Sequence, residues 1–264
     1  TPPFAGVVNY GYHLDANKFA TLLQTHATQQ LGVTHVCDHI QAVNGSSEGP
    51  ITSVTERSQG DIHGDLFIDC SGFAARLVGQ HYGIELLSCE QVLANNSAVA
   101  MPVSYKHAHT DIASVTRSTA QNKGWIWDIG LPTRKGIGYV YSDAHCSREE
   151  ALNTLAGYIR HDDTTQNEPD LSQARTFSFK PGYRETLWHH NCVAIGTSAG
   201  FLEPLEASAL VMIEMSANHL AEQMPVKAEQ LKPASRQFNQ LFSQRWQRAV
   251  EFLKLHYVLS KRRQ

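Results

Sequence analysis

Two stretches of this chain combine residue types and spacing that suit chemistry: DLFIDCSGF at 65–73 and CVAIGTSAGFLEPLEASAL at 192–210. Each is an apolar run, expected to form a strand, that spills into small residues. Small residues after a strand let a ligand approach the backbone, as in nucleotide-binding loops. In the second stretch the loop leads into a helix expected to start near Ala207, whose free N–H groups and positive dipole end suit an anion. Glu206 stands just before that point, so a carboxylate and an anion pocket would be close neighbours. The same pattern also fits a plain strand-to-helix connection with a capping acid, and a short Gly-rich loop alone does not decide between them. A third stretch, KGWIWDI at 123–129, puts Trp125 and Trp127 at i and i+2 on one side of a strand. Two indoles on one face beside a glycine can wall an aromatic pocket.

The elements that must position these residues alternate between helix and strand. Residues 16–31 place Phe19, Leu22, Leu23 and Ala27 at helical spacing, with Gly32 where a helix-ending glycine belongs. VTHVCDHIQAV, ITSVTER and IHGDLFIDCSG are then expected as three strands, the last ending at Gly72. Between about 97 and 142, SAVAMPVSY, ASVTRST, GWIWDIG and GIGYVYS read as four short strands of an antiparallel sheet. Ser147 and Glu150 form a capping box at the start of a helix over 147–160. A polar loop, HDDTTQNEPD, follows. From Glu206, the residues Leu210, Val211, Ile213, Met215 and Leu220 mark a helix that proline stops at 225. Phe238, Leu241, Phe242, Trp246, Val250, Leu253 and Tyr257 give an amphipathic helix over about 233–260. Mixed helix and strand of this kind indicates an α/β or α+β fold.

Composition narrows the function. Apolar residues make up 42% and charged residues 18% of the 264, as in a globular enzyme. A net charge of −3 with no basic stripe argues against nucleic acid; Lys261-Arg262-Arg263 reads as a solvated helix face. No run of 18 to 20 apolar residues suggests a membrane span. The five cysteines, odd in number and widely spaced without a CxxC, fit a reducing, cytoplasmic setting. The start, Thr1-Pro2-Pro3-Phe4, is neither a signal peptide nor an initiator Met, so the chain is expected to begin inside something longer.

Together the motifs resemble the flavin-dependent tryptophan halogenases. The likeness lies in GWIWDIGLP (124–132) for GWxWxIP, in the DLFIDCSGF strand, and in GTSAGFLEPLEASA (196–209) for GxSxxFxxPLExxG/A. YGYHLDANKFATLL near the start and FLKLHYVLSKR at the end also look like family segments. The resemblance implies a partial FAD-binding, glutathione-reductase-like α/β fold with an antiparallel substrate-side sheet and C-terminal helices. It divides the chain into 1–96 (FAD-binding), 97–190 (substrate side), 191–225 (FAD-binding again) and 226–264 (the start of a helical region). It implies FADH2 from a separate flavin reductase, oxygen and a halide (chloride or bromide), with hypohalous acid travelling along a tunnel to a lysine beside an electron-rich aromatic such as tryptophan or an indole. Carried over by motif, Glu206 is the catalytic carboxylate, and the backbone amides of Ser208 and Ala209 hold the halide. Ser71, Gly72, Thr197 and Leu210 line the flavin, with Ile40 towards its adenine end. Trp125 and Trp127 shield the tunnel from the flavin. A homodimer is compatible with all of this, and the oligomeric state itself is not legible.

Three features depart from the family pattern. No GxGxxG follows a strand, and no lysine here takes the tunnel role, which in the family lies N-terminal to this region; a partial chain is expected. Ala207 stands where a serine usually follows the glutamate, and one extra residue precedes Pro132, which suggests a different substrate. The competing reading is a flavin-dependent aromatic hydroxylase, which would not be expected to carry the paired tryptophans; a non-catalytic flavin-binding fragment is a third. His35, Cys37 and His39 could share one face of a strand and suit zinc, yet without a fourth ligand they read as polar surface. The pairs His107/His109 and His189/His190 read likewise. Cys70, beside Asp69 in an apolar strand, reads as a buried small hydrophobe, and no GxSxG elbow supports a hydrolase.

Overall fold

The computed structural model describes residues 10–165 and 168–261. Thr1–Phe4, Arg262 and Arg263 lie outside them. The chain divides into two compact units, one from residues 1–37 and 97–177, the other from 38–96 and 178–264.

The first unit is built on a five-stranded sheet in the order Arg175–Ser178, Ser97–Ser104, Arg134–Tyr141, Gly124–Gly130, Arg117–Gln121. The pairings among the last four are all antiparallel. Alternation gives the sheet two unlike faces. One carries Val99, Met101, Val103, Ile126, Ile137, Tyr139 and Tyr141, which pack with Ala151, Leu155 and Ile159 of helix α2 (Arg148–Arg160) into a buried core. The Ser147–Glu150 capping box is formed, so the helix starts where the sequence places it. The other face carries Trp125 and Trp127. Helix α1 (Ala16–Gln30) ends as expected, with Gly32 at φ +68° and the Val33 N–H returned to the Ala27 carbonyl.

The second unit holds three small sheets and two helices, α3 (Ser208–Glu222) and α4 (Leu231–Val258). One sheet is an antiparallel meander of Ile40–Gly45, Ile51–Glu56 and Gly60–His63. A second pairs Phe67–Asp69 in parallel with Cys192–Ala194, which pairs in turn with Trp188–His189. The third joins Leu86–Ser88, Gly182–Arg184 and Gly200–Phe201. Phe238, Phe242, Trp246 and Leu253 form the buried stripe of α4.

Two strand expectations are corrected. Residues 33–39 form no strand, because Asp38 satisfies local backbone by side chain instead. Its carboxylate accepts the Ser58 hydroxyl, which, with the N–H groups of His39 (2.7 Å) and Ser58 (2.8 Å), holds it below the usual carboxylate range. The expected single strand ending at Gly72 is two strands in different sheets, Gly60–His63 and Phe67–Asp69. Buried Asn191 marks the switch: its amide accepts from the Ile51 N–H (2.9 Å) and donates to the Ile51 and Asp65 carbonyls, standing in for ladder bonds where the chain changes partners. Among the described residues, no helix is long and apolar enough to cross a membrane.

Candidate functional site

The two motif strands lie side by side. Cys192, Val193 and Ala194 pair with Phe67, Ile68 and Asp69 in parallel, so both small-residue loops leave from the same edge. Ligands of open α/β sheets bind outside that carboxyl edge. Gly72 adopts φ +74°, and the nearest atom to a Cβ built there is Thr197 Oγ1 at 3.8 Å. Ser71, Gly72 and Thr197 are thus brought together, with a backbone a ligand can approach.

Asp69 sets this corner. Its buried carboxylate accepts the Ser71 N–H (2.9 Å) and hydroxyl (2.6 Å) on one oxygen, and the Leu77 and Val78 N–H groups (2.9 Å each) on the other. The last two open the π-helical turn Arg76–His81, where an acid offsets free donors. The carboxylate is therefore a fixture of the loop. Ser198, fully buried, donates its hydroxyl to the Asp69 carbonyl and ties the second loop to the first. Cys70 is exposed rather than buried, a correction to the sequence reading, because the strand ends at Asp69. Packing around its sulfur and the Asp69 charge both raise its thiol pKa, the opposite of an activated nucleophile.

Ile40 opens the first strand of the meander and lines a separate open cleft of about 230 Å³ with Ala42, Val43, Arg76, Gln80 and His81. Leu210 is on the first turn of α3 and is 70% exposed.

Glu206 lies on the turn that feeds α3. It and Ala207 both sit in the left-handed region (φ 61°, ψ 13° and φ 51°, ψ 27°), which costs an L-residue roughly 1–2 kcal/mol each. Strain of that kind concentrates where a side chain must be aimed. Ala207 is the N-cap of α3 and has no side chain able to bond the first-turn amides, so those of Ser208 and Ala209 receive no side-chain cap. The arrangement offers an anion site next to a carboxylate.

Two neighbours on α4 hold the turn. His256 Nε2 lies 3.3 Å from Glu206 Oε1, with both side chains partly exposed. Tyr257 donates its hydroxyl to Glu203 Oε1 (2.6 Å), and Asn95 donates to Glu203 Oε2 (2.9 Å). Glu203 is 1% exposed. The two acids of LEPLE thus divide into a buried foot and an exposed head. Sequence reasoning took up only the head. The signal for the foot was present, an acid between Leu202 and Pro204 in an apolar run, which must find partners if buried. Nothing in the sequence singled out His256.

Trp125 and Trp127 belong to the first unit. They share a sheet face as their spacing requires, with ring centroids 6.2 Å apart and planes at 58°. Trp125 is buried, and its indole N–H has no partner among the described residues. His35 hydrogen-bonds Gln24 (3.0 Å), and the strand that would have aligned it with Cys37 and His39 does not form. Among the described residues no cluster of three or more metal-ligating side chains occurs.

Residues 2–264 match the family model for tryptophan halogenase. The chain is 36% identical over 252 residues to the tryptophan 6-halogenase SttH of Streptomyces toxytricini, covering 94% of this chain and 46% of that protein. It is 33% identical to the tryptophan 7-halogenase RebH of Lentzea aerocolonigenes, covering 97% and 47%. The crystal structure of a tryptophan halogenase from Shewanella frigidimarina superposes with a TM-score of 0.91 at 46% identity, over 97% of this chain and 48% of that one. The chain spans about half the length of the curated relatives it matches.

Proposed function

Because this chain belongs to the tryptophan halogenase family, we propose that it forms the halide- and flavin-facing part of an FADH2-dependent halogenase acting on an electron-rich aromatic of the tryptophan or indole class. The observation that carries the reading is the start of α3: a strained glutamate followed by helix amides that no side chain caps. When bound, reduced flavin supplies the activation of oxygen that oxidises the halide. The residues present fit such a group, since Ser71, Gly72 and Thr197 offer an open, small-residue edge at the ends of parallel strands.

The amides of Ser208 and Ala209 hold the halide by hydrogen bonding and the helix dipole. Glu206 accepts the proton that a substituted aromatic ring must lose, or orients the electrophile towards it. His256, 3.3 Å away, keeps that carboxylate from swinging free. Trp125 and Trp127 shield the path from the flavin and so disfavour direct hydroxylation of the substrate. A separate flavin reductase delivers the reduced cofactor.

The test is an assay of the intact protein with FAD, a flavin reductase, NADH, oxygen, bromide and indole, read by mass spectrometry for a monobrominated product. Glu206→Gln is expected to lower bromination about 10²- to 10⁴-fold, the usual worth of a positioned proton acceptor, with its melting temperature unchanged. Hydroxylated indole without bromination would refute the halogenase reading.

A further inference from the structure

Trp127 stands directly opposite Gly138 in the antiparallel pair Gly124–Gly130 with Arg134–Tyr141. The glycine has no φ that requires it. What requires it is the indole: a Cβ built on Gly138 would lie 2.6 Å from Trp127 Cε2 and closer still to Cζ2 and Cη2. The six-membered ring therefore lies on the bare backbone of the neighbouring strand. Glycine weakens a strand interior, and an aromatic laid across it restores the lost cover. Gly136, two residues back on the same face and opposite Ile129, is different. Its nearest neighbour is an Arg134 guanidinium nitrogen at 3.9 Å, so an alanine fits there without displacing anything.

We propose that Gly138 is a positioning residue: its missing side chain is the seat that fixes the indole of Trp127 against Trp125. Trp125 is anchored independently, buried opposite Val140, while Trp127 is half-buried and takes its orientation from the strand beside it. Any side chain at 138 lifts the ring away from the sheet and changes the 58° angle between the paired indoles. The functional consequence rests on the shielding role given to Trp127 above; the seat itself does not.

The experiment measures the two separately in the intact protein. The coupled indoles give an exciton couplet in circular dichroism, assigned by its loss in Trp125→Phe. Gly138→Ala is expected to abolish or invert the couplet, while Gly136→Ala leaves it unchanged. Against misfolding as the cause, Gly138→Ala is also placed in a Trp127→Ala background. It lowers the denaturant midpoint when the indole is present and leaves it level or higher when the indole is gone. An unaltered couplet in Gly138→Ala, or an equal loss of midpoint in both backgrounds, overturns the seat. In the bromination assay, Gly138→Ala is expected to divert a larger share of the oxidised bromide to free hypobromite. A lost couplet with an unchanged share would leave the seat standing and overturn the shielding role of Trp127.

Discussion

The sheet that carries the tryptophans and the turn that carries Glu206 are built on opposite principles. Behind the tryptophan strand, Lys135 lies between Asp128 (3.1 Å) and Asp162 (2.5 Å), with all three side chains 10% exposed or less. Tyr158 of α2 adds its hydroxyl to Asp128 at 3.2 Å. One ammonium serves both carboxylates, and the network ties the strand to the helix end on the side away from the indoles. At the Glu206 turn the backbone is strained, the carboxylate is about half exposed, and a histidine nitrogen lies 3.3 Å from it. The tryptophan strand is held by burial and by hydrogen-bonded charged side chains. The glutamate sits on a strained backbone and is left accessible, as the role proposed for it requires.

The sharpest way to break this contrast is Lys135→Ala, which leaves two buried carboxylates facing each other without their cation. Removing one member of a buried ion network costs about 3–5 kcal/mol, and denaturant unfolding should show a loss of that size. A loss below about 1 kcal/mol, the range of an exposed pair, would mean that the network is not what locks the sheet. Burial pulls the Lys135 ammonium pKa down, but its hydrogen bonds to Asp162 and Asp128 outweigh this and leave it above 10.5. Burial likewise pushes Asp162 up, and its bonds to Lys135 and Thr164 outweigh that, leaving it below 3.8. The lysine contribution is therefore complete below its unfolded value and fades only as pH rises through the raised one. The aspartate contribution is complete above its unfolded value and fades as pH falls through the lowered one. The contribution of this network should hold level between those limits and fall below pH 3.8, and Lys135→Ala should flatten that part of the acid limb.

A smaller effect separates the foot of the glutamate turn from its head. Tyr257→Phe deletes the 2.6 Å hydrogen bond to Glu203, a charge-assisted contact worth about 1.5–3 kcal/mol. Thermal unfolding should register that loss, whereas His256→Gln, at a partly exposed pair, should change stability by less than about 1 kcal/mol and act on turnover instead. Equal losses in the two variants would erase the division between a buried acid that holds the turn and an exposed one that does not.

The legibility of the sequence follows the same divide. Periodic elements with local signals could be read: the Ser147–Glu150 box, the Gly32 stop, three of the four expected antiparallel strands (the fourth, expected over 113–119, runs Arg117–Gln121) and the apolar stripe of α4 each depend on residues close in the chain. The loop–helix shape of the candidate site was also legible, because small residues after a strand and an acid before a helix are local features. What could not be read depends on distant side chains replacing local structure. Asn191 bonds the Asp65 carbonyl, 126 residues away, where one expected strand breaks in two, and Asp38 dissolves another through Ser58. The pairing of His256 with Glu206 is equally remote, fifty residues along the chain and invisible to spacing. Gly138 is the intermediate case: a glycine inside a strand signals a close approach, but only the register with Trp127 says what approaches.

The smallest effect bears most directly on how the glutamate is aimed. Ala207 occupies the left-handed region at φ 51° with a Cβ that disfavours it, and Glu206 does so just before it. Ala207→Gly removes the steric penalty, roughly 1–2 kcal/mol, but loosens the unfolded chain, an opposing effect of about 0.4–1 kcal/mol. The net should be a gain of about 0.5–1 kcal/mol, visible as a higher unfolding midpoint. The same freedom lets the turn leave the strained conformation, so bromination per enzyme should fall while stability rises. A variant that is more stable and equally active would show that the strain does not aim Glu206. A variant that is less stable would show that Ala207 is not left-handed in the folded protein, and the contrast between a strained turn and a locked sheet would fail at its root.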